Sequence, residues 1–278
     1  MLHGEWRGLL DLYQVVLAGF IQGVLEWLPV SSSGQVMVFL SRVLGLRLVE
    51  AYGLAIYLHI GTLFSAILYY GRDIISWVKG HGLGLNNLLV RLWLVTTIAS
   101  IAIGYPIYVV YQETLSNTSL DVVTSFIGLL LVITGLLMKY AKHERNYRTL
   151  KDLKTRDYIA LGIAQGVSII PGISRSGTTI AILLLLGLRS NDAVKTSFLA
   201  SIPVIALASI YTGLSQGYIV SIAGLIGILS ALGAGLIGLW IMVFLSKRLP
   251  LYYFALTIGL AMILASIPFT LVNYVLCY

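Results

Sequence analysis

"YQVVLAGFIQGVLEWLPVSSSGQVMVFLS", residues 13–41, sets a carboxylate, a proline and three consecutive serines in the middle of an otherwise apolar stretch. Its two apolar arms are about ten residues each. A helix needs about 20 apolar residues to cross a hydrocarbon core of roughly 30 Å, so neither arm crosses alone. The stretch reads as a re-entrant hairpin, which is tolerated at membrane depth only where protein or a water-filled cavity covers the broken backbone; a kinked spanning helix is the alternative. Residues 158–188, "YIALGIAQGVSIIPGISRSGTTIAILLLLGL", show the same plan.

Laid over each other at an offset of 143, the two stretches align Gly19 with Gly162, Gln22-Gly23-Val24 with Gln165-Gly166-Val167, and Ser31, Ser33 and Gly34 with Ser174, Ser176 and Gly177. Seven of the sixteen positions from 19 to 34 are identical. The shared order of helix, break and serine cluster argues for an internal repeat.

The rest of the chain supplies apolar runs near 51–70, 89–110, 122–138, 196–213, 219–245 and 251–275, which suggest six spans. Of the 278 residues 58% are hydrophobic and 10% charged, and the mean hydropathy is +0.93. A soluble domain carries about 25% charged residues, so a bilayer is the main solvent expected here. The expected fold is an all-α polytopic membrane protein: six transmembrane helices plus two re-entrant helical hairpins in an inverted-topology repeat. It forms one membrane domain over 1–278, with repeat 1 at about 9–142 and repeat 2 at about 155–278. Three spans between corresponding points turn the second repeat upside down, and broken hairpins then meet near the midplane, where such folds often build their site.

Charge orients the chain. The 139–157 connection, "KYAKHERNYRTLKDLKTRD", holds seven Lys/Arg against three acids, and the 71–91 and 247–248 loops are also basic. These belong on the cytoplasmic side. The 111–121 and 212–218 loops and the C-terminal tail hold no Lys or Arg and belong outside, as do the N-terminus and the 42–50 loop despite Arg42 and Arg47. The net charge of +7 is thereby explained by orientation, and nucleic acid is not an expected partner. The start, "MLHGEWRGLLDLYQ", lacks the pattern of a signal peptide and is expected to be retained. The lone Cys277 excludes an intrachain disulfide and a Cys-based metal cluster.

Ionisable groups at membrane depth are costly enough that a functional role is the default reading. Arg175 lies in "PGISRSGTT", where Pro171 and Gly172 end one arm and Ser174, Ser176, Thr178 and Thr179 supply hydroxyls. A guanidinium fork, hydroxyls and the N-terminus of the next helix make an anion site suited to phosphate. An arginine satisfying buried carbonyls is the structural alternative. Gln22 and Glu26, four apart, share a helix face. Glu26 has three candidate roles: general base, ligand of a divalent cation, or ion-pair partner of Arg175. Ser31, Ser32 and Ser33 include a candidate nucleophile, although serines at a helix break also serve as caps.

The pair "QGVLEWLPVSSSGQ" and "PGISRSGTT" resembles the signature of the undecaprenyl-diphosphate phosphatases, the bacitracin-resistance integral membrane enzymes. Weaker similarity runs through "LHIGTLFSAILYY" and "TSFLASIPV". The resemblance implies an enzyme that removes the terminal phosphate of a long-chain polyprenyl diphosphate and so recycles the lipid carrier of cell-envelope glycans. It implies an active site open to the extracytoplasmic face of the cell membrane, and dependence on a divalent cation, Mg2+ or Ca2+, with Glu26 as the candidate ligand. Carried over by position, Glu26, Ser32 and Arg175 are catalytic. Gln22, Ser174, Ser176 and Thr179 match the signature's remaining polar positions and are expected to bind substrate, as are the adjoining Ser31, Ser33 and Gln35 of this chain. Membrane lipid is a further partner, and a second copy of the chain a candidate one.

One position departs from the family: where bacterial members commonly carry His after "SSSG", this chain has Gln35. An amide hydrogen-bonds phosphate but does not exchange a proton near neutral pH, which leaves Glu26 as the titratable group of the motif. The intramembrane His59 is read as packed between helices, with a part in proton transfer only if it faces the cavity. The rival function is transport, as a polyprenyl-phosphate flippase or an anion carrier, which would need Arg175 and the hydroxyls but no base or nucleophile.

Overall fold

The structure is a computed structural model; it describes residues 12–81, 84, 87–141, 148–217, 222–246 and 248–276. Residues 1–11, part of the 139–157 connection, Tyr218, Lys247 and Cys277, on which several expectations fall, lie outside the described residues. The described chain is all-helical, with eleven α-helices and no strand among the described residues.

Both Pro/Gly/Ser centres are breaks between short helices. α1 (Leu12–Leu25) and α2 (Ser32–Leu44) contain 14 and 13 residues. α7 (Thr155–Val167) and α8 (Arg175–Leu185) contain 13 and 11. At 1.5 Å per residue each is about 16–21 Å long, shorter than the hydrocarbon core. Pro29 pushes the residue before it away from helical geometry. Gly172 takes φ 104°, a left-handed conformation open to glycine. Ser31 is the one non-glycine with positive φ among the described residues, at φ 57° and ψ 71°.

The long helices are α3 (Leu48–Tyr69), α5 (Leu88–Leu115), α6 (Leu120–Tyr140), α9 (Ser190–Ser215), α10 (Ile222–Ser246) and α11 (Tyr252–Leu276). Five of them, α3, α5, α6, α9 and α10, are long and apolar enough to cross a membrane. The expected span at 251–275 coincides with α11, whose described apolar stretch is Tyr252–Ile267, below that length. The basic 71–91 loop is not irregular throughout: it contains α4 (Gly71–His81). Ile74 and Trp77, three apart on one face, pack α4 onto the core.

α3 and α9 run against each other through the centre; their apolar windows are 72% and 61% buried, against 33% for α5 and α10. Around them α1 packs along α10, α7 along α5, and α6 along α11. Glycine permits the closest crossings: a methyl on Gly23 would lie 2.6 Å from the Ala231 carbonyl, and one on Gly166 would lie 2.7 Å from that of Ser100. The Trp27 indole N–H donates to Gly235 O at 2.9 Å, and its ring meets Phe198 edge-on at 4.9 Å.

Ion pairs tie the helix ends together. Arg42 at the end of α2 meets Asp121 at the start of α6, and Arg47 meets Glu50. Asp73 of α4 pairs with Lys195 of α9 at 2.7 Å. Arg148 binds Asp157 at 2.6 Å, and its guanidinium and backbone N–H donate to Leu186 O (3.1 Å) and Gly187 O (2.8 Å), so the two outer ends of the second hairpin lie together. A single 3-10 turn, Leu150–Asp152, precedes α7. There the Thr149 backbone N–H and hydroxyl hold the Asp152 carboxyl below its ordinary pKa.

Candidate active site

Glu26 follows α1 by one residue, and its N–H still bonds Gln22 O at 3.0 Å, so both side chains emerge on one face. The Gln22 amide donates to Glu26 Oε2 at 2.7 Å. Ser32 opens α2, and its hydroxyl donates to the same Oε2 at 2.6 Å while accepting from the Gln22 amide at 3.2 Å. The left-handed turn at Ser31 aims the next serine at the carboxylate and sends the Ser31 hydroxyl the other way, to accept the Gly172 N–H at 2.8 Å. That bond joins the two hairpin breaks, 141 residues apart in the chain.

The second hairpin brings Arg175 in from the opposite side of the break. Ser174 caps α8, accepting the Gly177 N–H at 3.2 Å, which places Arg175 first in the helix. Its Nη2 meets Glu26 Oε1, and its Nη1 is buried without a partner among the described residues. Ser176 donates to Leu28 O at 3.1 Å, a second tie between the hairpins.

His59 corrects an expectation. Instead of packing between helices with its ring away from the site, it borders the cavity with Nε2 at 3.0 Å from Glu26 Oε2. Nδ1 faces Ala55 O at 2.8 Å and must carry a proton to bond it. Tyr52, Ile56 and His59 lie at helical spacing on α3 and all border the cavity, so the 3.6-residue period held the signal.

These groups face an open chamber of about 700 Å³. Of the expected site residues, Glu26, Ser31, Ser32, Ser33, Ser174, Arg175 and Ser176 border it. Three stand behind its wall. Gln22 is fully buried against Glu26 and Ser32. Thr179 donates to Arg175 O at 2.7 Å and pairs with Ser197 at 2.6 Å, pinning α8 to α9. Gln35 turns its amide to Val30 O (3.2 Å) and Met262 Sδ (2.9 Å).

Ile56, Gln165, Ile169, Val204 and Ala208 border both the chamber and a second cavity of about 880 Å³ lying between α5, α7 and α9. That second cavity is an apolar groove, with Tyr105, Tyr108 and Tyr211 in its wall. A buried serine on a carboxylate, a free guanidinium N–H and an adjoining apolar groove suit an anionic head group carrying a hydrocarbon chain.

Comparison with known proteins agrees with that chemistry. The family described as bacitracin resistance protein BacA matches residues 15–267. An undecaprenyl-diphosphatase of Sulfurisphaera tokodaii is 30% identical over 93% of this chain and 98% of its own length. One of Methanothrix thermoacetophila is 31% identical over 93% of this chain and 99% of its own length. One of Methanopyrus kandleri is 37% identical over 68% of this chain and 70% of its own length. A match that takes in both hairpins and every long helix leaves one conclusion: the chain belongs to the BacA family of bacitracin resistance proteins.

Proposed function

We propose that this chain is an integral membrane phosphatase that hydrolyses undecaprenyl (polyprenyl) diphosphate to the monophosphate and inorganic phosphate, recycling the lipid carrier of cell-envelope glycan synthesis. The observation that carries the reading is the 2.6 Å hydrogen bond from the Ser32 hydroxyl to Glu26, whose other oxygen is held by Arg175. A carrier needs the arginine; it has no use for a serine already bonded to a base.

In the mechanism, Ser32 Oγ bonds to the terminal phosphorus as the bridging P–O bond breaks. The serine proton passes to the Glu26–His59 pair and from it to the bridging oxygen, so that polyprenyl monophosphate leaves with that oxygen, its electrons and the proton, and the pair is free again. Arg175 Nη1, unpartnered among the described residues, donates to the charge that develops on the phosphoryl oxygens. Water then attacks the phosphoseryl phosphorus and loses a proton to the same pair. The P–Oγ bond breaks, Oγ regains its proton and phosphate departs. His59 thus supplies the proton capacity that Gln35 lacks. His59→Gln is expected to lower kcat by about 10²-fold with little change in KM, as read from initial rates of phosphate release; an unchanged kcat would remove His59 from the mechanism.

The donor set does not fit a divalent cation caged by protein. Among the described residues no three His, Cys, Asp or Glu side chains converge. Glu26 is the one carboxylate on the chamber, and both its oxygens are engaged. We read Mg2+ or Ca2+ as a cation that would arrive with the diphosphate substrate and supply charge neutralisation there; among the described residues Glu26 is the carboxylate on the chamber that would meet it.

The architecture we propose is one membrane domain of two inverted repeats, with α1–α2 and α7–α8 as the re-entrant hairpins and α3, α5, α6, α9, α10 and α11 as the spans. Its support is reciprocal packing: the first hairpin's α1 lies on the second repeat's α10, and the second hairpin's α7 on the first repeat's α5. The site is read as open to the extracytoplasmic face. Tyr105, Tyr108 and Tyr211 of the groove lie toward the ends of α5 and α9 that run into the loops without Lys or Arg. Arg42, the residue that least suited an outer loop, is paired with Asp121 at the edge of one of them.

Purified protein in detergent is the test, with phosphate release measured on a long-chain polyprenyl diphosphate. Release supports the phosphatase; binding without release supports the carrier. A chelator is expected to lower release by about tenfold or more, and added Mg2+ or Ca2+ to restore it. The same cations are expected to leave the melting temperature of the substrate-free protein unchanged, since a ligand stabilises only where it has a site.

A further inference from the structure

Gln165 holds the position in the second hairpin that Gln22 holds in the first. Gln22 is bonded to Glu26, whereas the counterpart of Glu26 beside Gln165 is Ile169. Gln165 therefore has no carboxylate to bind. Its orientation is set from behind: the Ser100 hydroxyl donates to Thr96 O (2.6 Å) and Gly162 O (3.0 Å) and so accepts from the Gln165 amide at 3.0 Å. Gln165 is 5% exposed, yet among the described residues its Oε1 has no hydrogen-bond partner. Ser209, on the chamber wall one residue from Ala208, is wholly buried, and its hydroxyl has no partner either. Buried polar groups are nearly always bonded, and those that are not mark places where a ligand or water completes them.

Their place in the cavity says which part of a ligand that is. Ser32 and Arg175 border only the chamber, Tyr105, Tyr108 and Tyr211 only the groove, and Gln165 is the polar side chain common to both. We infer that Gln165 and Ser209 form a subsite for the proximal phosphate of the polyprenyl diphosphate, at the point where head group gives way to chain. The remaining amide N–H and the Ser209 hydroxyl donate to the phosphate oxygens, and Gln165 Oε1 accepts from the water that hydrates them. The inference rests on the phosphatase reading. It also gives a reason for stopping at the monophosphate: with its chain in the groove, the product's single phosphate sits at Gln165, not at Ser32.

Inhibition by the two products separates the ends of the site. Polyprenyl monophosphate reports the Gln165–Ser209 end, and inorganic phosphate the Ser32–Arg175 end. Gln165→Glu, isosteric but negative, is expected to raise the inhibition constant of polyprenyl monophosphate about tenfold or more; Ser209→Ala, the milder variant should the first fail to fold, is expected to raise it about threefold to tenfold. Inhibition by inorganic phosphate should stay within about twofold in both. An unchanged constant for the monophosphate, no inhibition of the parent protein by it, or an equal change for inorganic phosphate would overturn the subsite. A parent protein that releases no phosphate would instead overturn the phosphatase reading itself.

Discussion

Ser32→Ala is expected to lower the turnover of polyprenyl diphosphate by about 10³-fold or more, since removing an activated nucleophile leaves only binding and electrostatic stabilisation. The hydroxyl donates to Glu26 at 2.6 Å and borders the chamber, so deleting it removes the attacking atom and leaves the guanidinium in place. The fold should tolerate the change: Oε2 keeps the Gln22 amide at 2.7 Å and His59 at 3.0 Å. Single-turnover phosphate release, with trapping of a phosphorylated protein at low temperature, is the measurement. Near-normal turnover would sink the serine nucleophile in favour of direct attack by water.

For Arg175, lysine and alanine should fail differently. One guanidinium nitrogen holds Glu26, and the other is buried without a partner among the described residues. A lysine has one nitrogen and cannot reach both places in fixed geometry. Arg175→Lys is therefore expected to cost about 10²–10³-fold in kcat/KM through lost stabilisation of phosphoryl charge, with melting temperature little changed. Arg175→Ala also strips the charge partner from a carboxylate that is only 3% exposed. Breaking a buried pair from one side costs about 3–5 kcal/mol, so the alanine variant should melt well below the lysine one. Equal activity of parent and lysine variant would show that the fork is not used on the substrate.

Much of the fold was legible in the residues because hydrophobic length and backbone punctuation are local properties. Pro29, Gly172 and the serine clusters interrupt the apolar runs where the helices break, and the runs at 51–70, 89–110, 122–138, 196–213 and 219–245 became span-length helices. α4 was less visible, because Gly71, Asp73, Lys79 and Gly80 mask its short apolar face. The cavity was legible only by residue type. Its serines, arginine and glutamate stand out against apolar neighbours, whereas His59 looks from its surroundings like any histidine inside a span, and Gln165 like a copy of Gln22.

By itself, then, the sequence determined two breaks between short apolar helices and the residues able to meet a phosphate, since each follows from chain-local sterics and the cost of placing polar groups in hydrocarbon. Only the tertiary structure decided how they act together. Which of three serines meets the base depends on the left-handed backbone of Ser31; Glu26 and Arg175 meet across 149 residues of chain; and His59 faces the site while Gln35 turns away to Val30 and Met262. Those outcomes depend on how two hairpins and the central pair α3 and α9 pack, and contacts between residues that far apart leave no mark in the local period of either segment.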